Sequence, residues 1–377
     1  MRGMADFLMP ALGADMETGK VVQWLVKPGD RVHKGDIVAV VETHKGAIDV
    51  EIFLDGVIGD LVALDQELPV GAVLARVRTD EATPSVAPLP LGAAPVPGPS
   101  RVLASPAARR RASELGVDWR AIQGSGADGA VTLADVEQAA QRTVPAPAAE
   151  PPRRGFDAAK MRQAIAAAMG RSKREIPHYY LGTTIDFAAA NNWLEAHNRD
   201  LQPEERLLPA VLLLKATALA LREVPQLNGH FEQGVFKPGP AVHVGWAIAL
   251  RGGGLIAPAI HGADGLSLTQ LMAALRELVQ RARSGGLRSS ELTDPTVTVT
   301  SLGERGAESV YGVIYPPQVA IVGFGRVSER PWVVDGQVVA RSLVNASLAA
   351  DHRVSDGHLG GQLLAAIDRA LQAPEHL

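Results

Sequence analysis

Asp351-His352-Arg353-Val354-Ser355-Asp356-Gly357 lies near the end of a 377-residue chain, where one periodicity gives way to another. Upstream, Leu343 to Ala350 is rich in apolar residues and reads as a strand. Downstream, Leu359, Leu363, Leu364, Ile367 and Leu371 recur at helical spacing. The stretch therefore turns a strand into a helix and places a histidine and a carboxylate four positions apart on the turn. An imidazole fixed at such a corner suits a general base, because histidine titrates near neutrality. A plainer reading has Asp356 as the N-cap of the helix, Gly357 as the residue that lets the chain turn, and His352 as a hydrogen-bonded core residue. A metal pair is the weakest reading, since no further ligand stands at a suitable spacing and the chain has no cysteine.

Outward from that corner, residues 155–377 read as mixed α/β. Helices are expected at Ala159 to Lys173, Pro209 to Val224 (apolar enough to be buried) and Ser267 to Arg283. Strands are expected at Tyr179 to Ile185, Val242 to Leu250, Leu255 to Ile260, Thr296 to Ser301 and Val319 to Phe324. A hairpin over Val333 to Ala340 should turn at Asp335-Gly336. Gly252 to Gly254 join two strands with no helix following, and no GxxxxGK[ST] occurs, so a nucleotide loop is not indicated.

Residues 4–79 alternate short valine- and leucine-rich runs with turns such as Lys27-Pro28-Gly29-Asp30, the pattern of a small all-β domain. An internal repeat runs through it. Val21, Leu25, Val32, Gly35 and Ala39 return as Val57, Leu61, Leu68, Gly71 and Ala75, each 36 positions on (57 − 21). Two such halves suggest a flattened barrel with pseudo-twofold symmetry. Between them, Glu42-Thr43-His44-Lys45-Gly46-Ala47 puts Lys45 at the tip of a hairpin, either as an ordinary exposed lysine or as a modified one.

Residues 80–101 and 142–154 are rich in proline and alanine, a composition that makes extended spacers. Residues 102–141 between them are helical, with Ser105-Pro106 opening one helix, Gly116 closing it and Thr132 capping a second. So small a domain suits docking, and Arg109, Arg110 and Arg111 offer a basic face to an acidic partner or to water. The net charge of −4 speaks against nucleic acid, and the run Val211 to Leu221, broken by Lys215, is too short to span a membrane. Without cysteine there is no disulfide and no thiolate nucleophile, so thiol chemistry needs thiols from cofactor or substrate. Met1 to Pro10 lacks the pattern of a secretory signal, so the expected location is the cytoplasm, or the matrix if a transit peptide has been lost.

DHRVSDG resembles the DHRxxDG signature of the acyltransferase component of 2-oxo acid dehydrogenase complexes, shared more loosely with chloramphenicol acetyltransferase. Ile176-Pro177-His178, Leu227-Asn228-Gly229, Gly254-Leu255-Ile256-Ala257-Pro258, Thr300-Ser301-Leu302-Gly303 and Tyr315-Pro316-Pro317-Gln318 match family motifs in order. ETHKG resembles the ETDKA tip of lipoyl domains, with His44 and Gly46 as departures. Residues 102–141 resemble a peripheral-subunit-binding domain, with Gly129-Ala130-Val131 where the family has GRI. The resemblance implies three domains on one chain: an all-β lipoyl-type barrel, a small all-α binding domain and an α/β chloramphenicol-acetyltransferase-like catalytic domain.

It implies lipoate on Lys45, coenzyme A as substrate, and a 2-oxo acid decarboxylase and dihydrolipoamide dehydrogenase as partners. It implies His352 as base, Thr300 as oxyanion donor with neighbouring Ser301 as the alternative, and Asp356 as a structural carboxylate, with Arg162 a candidate partner. His178 reads as structural. Acetyl comes first among acyl groups, with branched-chain and acetoin-derived groups open. A lipoyl-bearing scaffold without catalysis is the alternative function. The family works as a homotrimer and commonly continues past Leu377 with further leucines, so the expectation is a trimer that joins into cages weakly or not at all.

Overall fold

The computed structural model describes residues 3–12, 16–43, 46–79, 105–115, 124–126, 130–137, 158–250, 254–304 and 306–377. The expected spacers 80–101 and 142–154 lie outside these residues, as do His44 and Lys45. Met1–Glu81 and Arg154–Leu377 form one unit, and Ala82–Arg153 forms another.

The N-terminal domain has eight strands: β1 (Gly3–Leu8), β2 (Thr18–Trp24), β3 (Arg31–Val32), β4 (Ile37–Thr43), β5 (Gly46–Glu51), β6 (Gly56–Leu61), β7 (Glu67–Pro69) and β8 (Val73–Thr79). One sheet runs β1-β8-β6-β3 and the other β5-β4-β2-β7. Alternate residues of both sheets meet in a core that includes Val21, Val41, Val50, Ile58 and Val77, all buried. The 36-residue repeat maps strand onto strand: β2 onto β6, β3 onto β7, β4 onto β8. Gly35 and Gly71, its paired turn glycines, have φ of +96° and +85°, a backbone region that side chains disfavour. The same symmetry exchanges the β4–β5 pair, which closes at Thr43 opposite Gly46, with the β8–β1 pair, which closes at Thr79 opposite Gly3. The closed end of the β4–β5 pair is thus the counterpart of the place where the chain enters and leaves the domain.

In the small domain, α1 (Pro106–Leu115) starts as expected, with Ser105 Oγ accepting the amide of Ala108 at 3.1 Å. Residues 133–137 form a second helical turn after Thr132. Ala108, Ala112, Val131 and Val136 are its buried core. Asp135 ties the loop together, accepting from the amides of Ser125 and Thr132 and from both hydroxyls. Those bonds, the Ser125 amide foremost, hold its carboxyl far below the usual range. Of the three arginines, Arg111 turns to Glu137 at 3.6 Å, while Arg109 and Arg110 are exposed.

The C-terminal domain opens with α2 (Ala158–Glu175) and β9 (His178–Asp186), followed by α3 (Ala188–Asn198) and α4 (Pro209–Glu223). The hairpin β10 (Gly229–Glu232) and β11 (Val235–Pro238) precedes β12 (Val244–Trp246), β13 (Ile248–Ala249), β14 (Leu255–Ile256) and β15 (Ala259–Ile260). Then come α5 (Leu268–Ser284), β16 (Leu287–Arg288), α6 (Ser289–Thr293), β17 (Val297–Ser301), β18 (Ala320–Phe324), β19 (Ser328–Val334), β20 (Gln337–Asp351) and α7 (Gly357–Gln372). The main sheet runs β15-β12-β17-β18-β20-β19, with β9 on the other edge of β20. Leu212, Leu221, Leu275, Leu363 and Ile367 of α4, α5 and α7 cover one face of it. In α4, the one buried cation is satisfied: Lys215 Nζ donates to the carbonyls of Asp264 and Leu266 at 2.7 and 2.6 Å.

Two expected strands are each broken in two. Pro258 has no N–H to give a ladder, so the chain there offers only its carbonyl, which accepts from Trp246 at 3.0 Å. The inner halves, β13 and β14, pair with each other, while β12 and β15 join the main sheet. Conversely, the hairpin arm after Asp335-Gly336 and the strand before Asp351 are a single 15-residue strand, β20. Asp335 and Gly336 have φ of 51° and 78°, as a tight two-residue hairpin requires. The helix α3 has no counterpart among the expected elements. Its start is fixed by Asp186, whose carboxylate accepts the Ala188 amide at 2.9 Å.

Candidate active site

The turn between β20 and α7 is pinned on every side. Asp351, wholly buried, has its amide bonded to Val319 O at 2.9 Å, and its own carbonyl accepts from Val354 and Ser355. Its carboxylate takes the guanidinium of Arg353 through Nε at 2.9 and 3.0 Å and Nη2 at 2.6 Å. The Arg353 guanidinium also lies 4.0 Å over the ring of Phe231. Asp351 is wholly buried while Arg353 is one-third exposed, so removing the arginine leaves a buried carboxylate without its counter-charge. Arg353→Ala should therefore cost about 1–3 kcal/mol of stability, less than a fully buried pair because solvent screens the arginine, read as a fall in the thermal midpoint of the purified chain. An unchanged midpoint would show the pair to be dispensable.

His352 is what this frame presents. Its amide donates to Pro177 O at 3.0 Å, and its side chain is exposed in the single chain. Tyr179 of β9 stands edge-on to the imidazole, ring centres 5.3 Å apart, and its hydroxyl is 2.9 Å from Ser355 Oγ. Tyr179 and Ser355 were not among the residues singled out from sequence. Asp356 is the N-cap of α7, accepting the amides of His358 and Leu359 at 3.0 and 3.1 Å. The Leu359 amide chiefly holds its carboxyl below the ordinary value. Arg162 is exposed, and among the described residues Asp356 has no hydrogen bond to it, so the expected pairing is not formed. The arginine-holding carboxylate is Asp351 instead.

Both ring nitrogens of His178 are tied to backbone groups. Nε2 accepts the Ile314 amide at 3.1 Å, which leaves the proton on Nδ1 to donate to Ile176 O at 2.9 Å. Burial is the main cause that lowers its pKa, keeping the ring neutral. Asn228, from the Leu227-Asn228-Gly229 motif, accepts Thr296 Oγ1 at 2.5 Å and donates to Ala241 O, so it too is frame.

Thr300 and Ser301 end β17 and point to opposite faces. Val297 and Val299 lie in the helix-covered core, the side to which Ser301 returns. Ser301 Oγ is occupied there, accepting the amide of Gly303 at 3.3 Å in a turn where Gly303 has φ of +62°. Thr298 and Thr300 take the other face, where Thr298 Oγ1 donates to Gln318 Oε1 at 2.7 Å. Ladder pairing sets Thr300, Gly323, Ser347 and Gly182 in one row across four strands. His352 lies two strands away and five residues beyond Ser347, roughly 15–20 Å from Thr300 in the same chain by strand geometry. The structure thus brings His352 and Asp356 to one corner and leaves Thr300 apart from them.

Residues 152–377 match the family of 2-oxoacid dehydrogenases acyltransferase (catalytic domain). The chain belongs to that family. Residues 102–137 of the acyltransferase match the e3 binding domain, and residues 5–77 the biotin/lipoyl family described as biotin-requiring enzyme. The acyltransferase is 30% identical to the dihydrolipoyllysine-residue acetyltransferase component of pyruvate dehydrogenase complex of Staphylococcus aureus, with 99% of this chain and 98% of that one covered. A structure of Azotobacter vinelandii dihydrolipoamide acetyltransferase is similar with a TM-score of 0.54 and 28% identity, over 58% of this chain and 90% of that one. That structure accompanies work on the role of a serine, a histidine and an asparagine in its catalytic mechanism. The cubic core of a pyruvate dehydrogenase multienzyme complex is similar at 0.54 and 29%, over 58% and 90%. The acyltransferase thus carries lipoyl, e3-binding and catalytic domains on one chain and acts in acyl transfer within a 2-oxo acid dehydrogenase complex, with covalent lipoate and coenzyme A as substrate.

The described residues around the lipoyl tip fit such a group. β4 and β5 close at Thr43 opposite Gly46, with Thr43 Oγ1 donating to Gly46 O at 3.2 Å and Gly46 at φ of +111°. Strand ends held that closely give a defined base for a long arm.

Proposed function

We propose that the acyltransferase moves an acetyl group between dihydrolipoamide on Lys45 and coenzyme A in the cytoplasm, with His352 as base and Thr300 as oxyanion donor. One observation carries the assignment. In the Azotobacter vinelandii protein the serine precedes the histidine by 52 positions and the asparagine follows it by four. Thr300 and Asp356 stand at the same spacings from His352 (352 − 300 = 52; 356 − 352 = 4). Ser301 is one position out, and its hydroxyl already serves the turn to Gly303.

Lipoate, when bound, supplies a dithiol that carries the acyl group as a thioester. A thiol is mostly protonated at neutral pH, so His352 takes the proton from the coenzyme A thiol as its sulfur attacks. Negative charge then builds on the thioester oxygen, where the Thr300 hydroxyl donates; as the old C–S bond to the arm breaks, the His352 imidazolium would return its proton to the leaving sulfur. Asp356 positions this corner through the end of α7 and does not touch the reacting atoms. Thr300 and His352 of one chain are too far apart to act on one reacting carbonyl, so each site takes His352 from one chain and Thr300 from the next. A head-to-tail contact of that kind closes on itself in a homotrimer. The e3-binding domain holds dihydrolipoamide dehydrogenase, and the decarboxylase supplies the acyl group to the lipoyl arm.

The test is acyl transfer from acyl-coenzyme A to free dihydrolipoamide. Acetyl-coenzyme A should be used with a kcat/KM at least about tenfold above a branched-chain acyl-coenzyme A, the scale on which a pocket discriminates a few methylenes. A preference for the branched chain would overturn the acetyl assignment, and no turnover with any would return the chain to the scaffold reading. Lys45 is tested separately. Protein from lipoate-supplied cells should carry one lipoyl group by intact mass, absent from Lys45→Ala; an unmodified parent chain would remove Lys45 from the account.

A further inference from the structure

β5, the strand that leaves the Lys45 tip, is the edge of its own sheet. Its free edge is not left open. β16 of the catalytic domain runs parallel to it, with Leu287 opposite Ile48 and Arg288 opposite Asp49. Beyond this pair the contact continues into α6. The Glu51 amide donates to Ser289 Oγ at 3.2 Å, and the Ser290 amide donates back to the Glu51 carboxylate at 3.3 Å. Glu51 is 8% exposed and Ser289 1%. Leu292 packs against the cores of both domains, and Ala47, Ile48, Ile256, Leu287 and Leu292 line one small cavity between them.

We propose that β16 and the start of α6 form a docking surface for the lipoyl domain, which the domain occupies by adding its β5 edge. Two features suit that role. An edge strand beside the working lysine would otherwise present unpaired backbone groups to any other sheet, and strand addition covers them while the domain is docked. A carboxylate is also costly to bury, and Glu51 meets a fitted donor rather than open apolar surface. The ladder is only two residues long, so docking is weak by itself. Tethering on the same chain raises the local concentration to the order of millimolar, enough to populate it and still let the domain leave. The surface thus gives the arm a defined resting place between visits to active sites. The proposal is independent of the roles given to His352 and Thr300.

The chain has no cysteine, so an introduced pair reports on one contact alone. Register partners Asp49→Cys and Arg288→Cys, in the full-length chain under mild oxidation, should form a disulfide, since paired strands bring Cα atoms within bridging range. Asp49→Cys with Val338→Cys, on the distant exposed hairpin, is the control. Adding Glu51→Lys should slow the first cross-link at least about tenfold, by stranding a cation where a carboxylate fits. Ser290→Pro, which deletes the donor from the catalytic side and leaves the lipoyl domain untouched, should slow it too; proline is tolerated in a first helical turn. Intact mass showing lipoylation in every variant confirms a folded lipoyl domain. Rapid linking in the first pair, slowed by both changes, supports the surface whether the link forms within a chain or between chains. Linking no faster than in the control pair, or unaffected by both changes, overturns it.

Discussion

His352→Ala is expected to lower kcat for acyl transfer by roughly 10²–10⁴-fold, the usual contribution of a positioned general base. The structure makes this a clean change. The His352 backbone is held through its own amide to Pro177, and the neighbouring Asp351–Arg353 pair fixes the turn without help from the imidazole. The side chain is exposed and fills no core, so little stability should be lost with it. Thermal midpoint and lipoylation of the variant should match the parent while turnover collapses. Rate loss should shrink as pH rises, because the coenzyme A thiol then ionises without a base. A variant that turns over within a few-fold of the parent at neutral pH would assign the proton to another group.

Thr300→Val should cost roughly 10²–10³-fold in kcat, about 2.7–4 kcal/mol, the scale for loss of one oxyanion donor. Valine keeps the shape and the β-branched fit to a strand while removing the hydroxyl. Thr300→Ser should retain activity within about tenfold, since the donor remains. Ser301→Ala should be close to the parent in kcat, its effect confined to the Gly303 turn. The two neighbours point to opposite faces, so the series separates them: a large loss in Ser301→Ala with a mild one in Thr300→Val would reverse the assignment.

Much of this was readable in the sequence. The helix after Asp356, its N-cap and the Asp335-Gly336 hairpin follow from short-range rules, because each is decided within a few residues. So does the duplicated barrel, where Gly35 and Gly71 mark the same turn twice. What escaped was decided at long range. β16 is two residues long and exists through its pairing with a strand about 240 positions earlier. Tyr179 reaches His352 because β9 pairs with β20, a match that local periodicity does not encode. The break at Pro258 came from competition between two sheets for one segment. The role of Asp351 was hidden by the motif itself: its histidine and second aspartate draw the eye, while the first aspartate is the buried anchor. α3 was missed because Ala188-Ala189-Ala190-Asn191-Asn192 dilutes the helical stripe to Trp193 and Leu194.

The proposed active site takes His352 from one chain and Thr300 from another. His352→Ala and Thr300→Val chains, each nearly inactive, can be produced together in equal amounts and purified as mixed assemblies. With random mixing in a trimer, one site in four receives an intact histidine and an intact threonine, so activity should recover to about a quarter of the parent. If both groups belonged to the same chain, every site in the mixture would lack one of them. Activity no higher than that of the separate variants would then contradict the account.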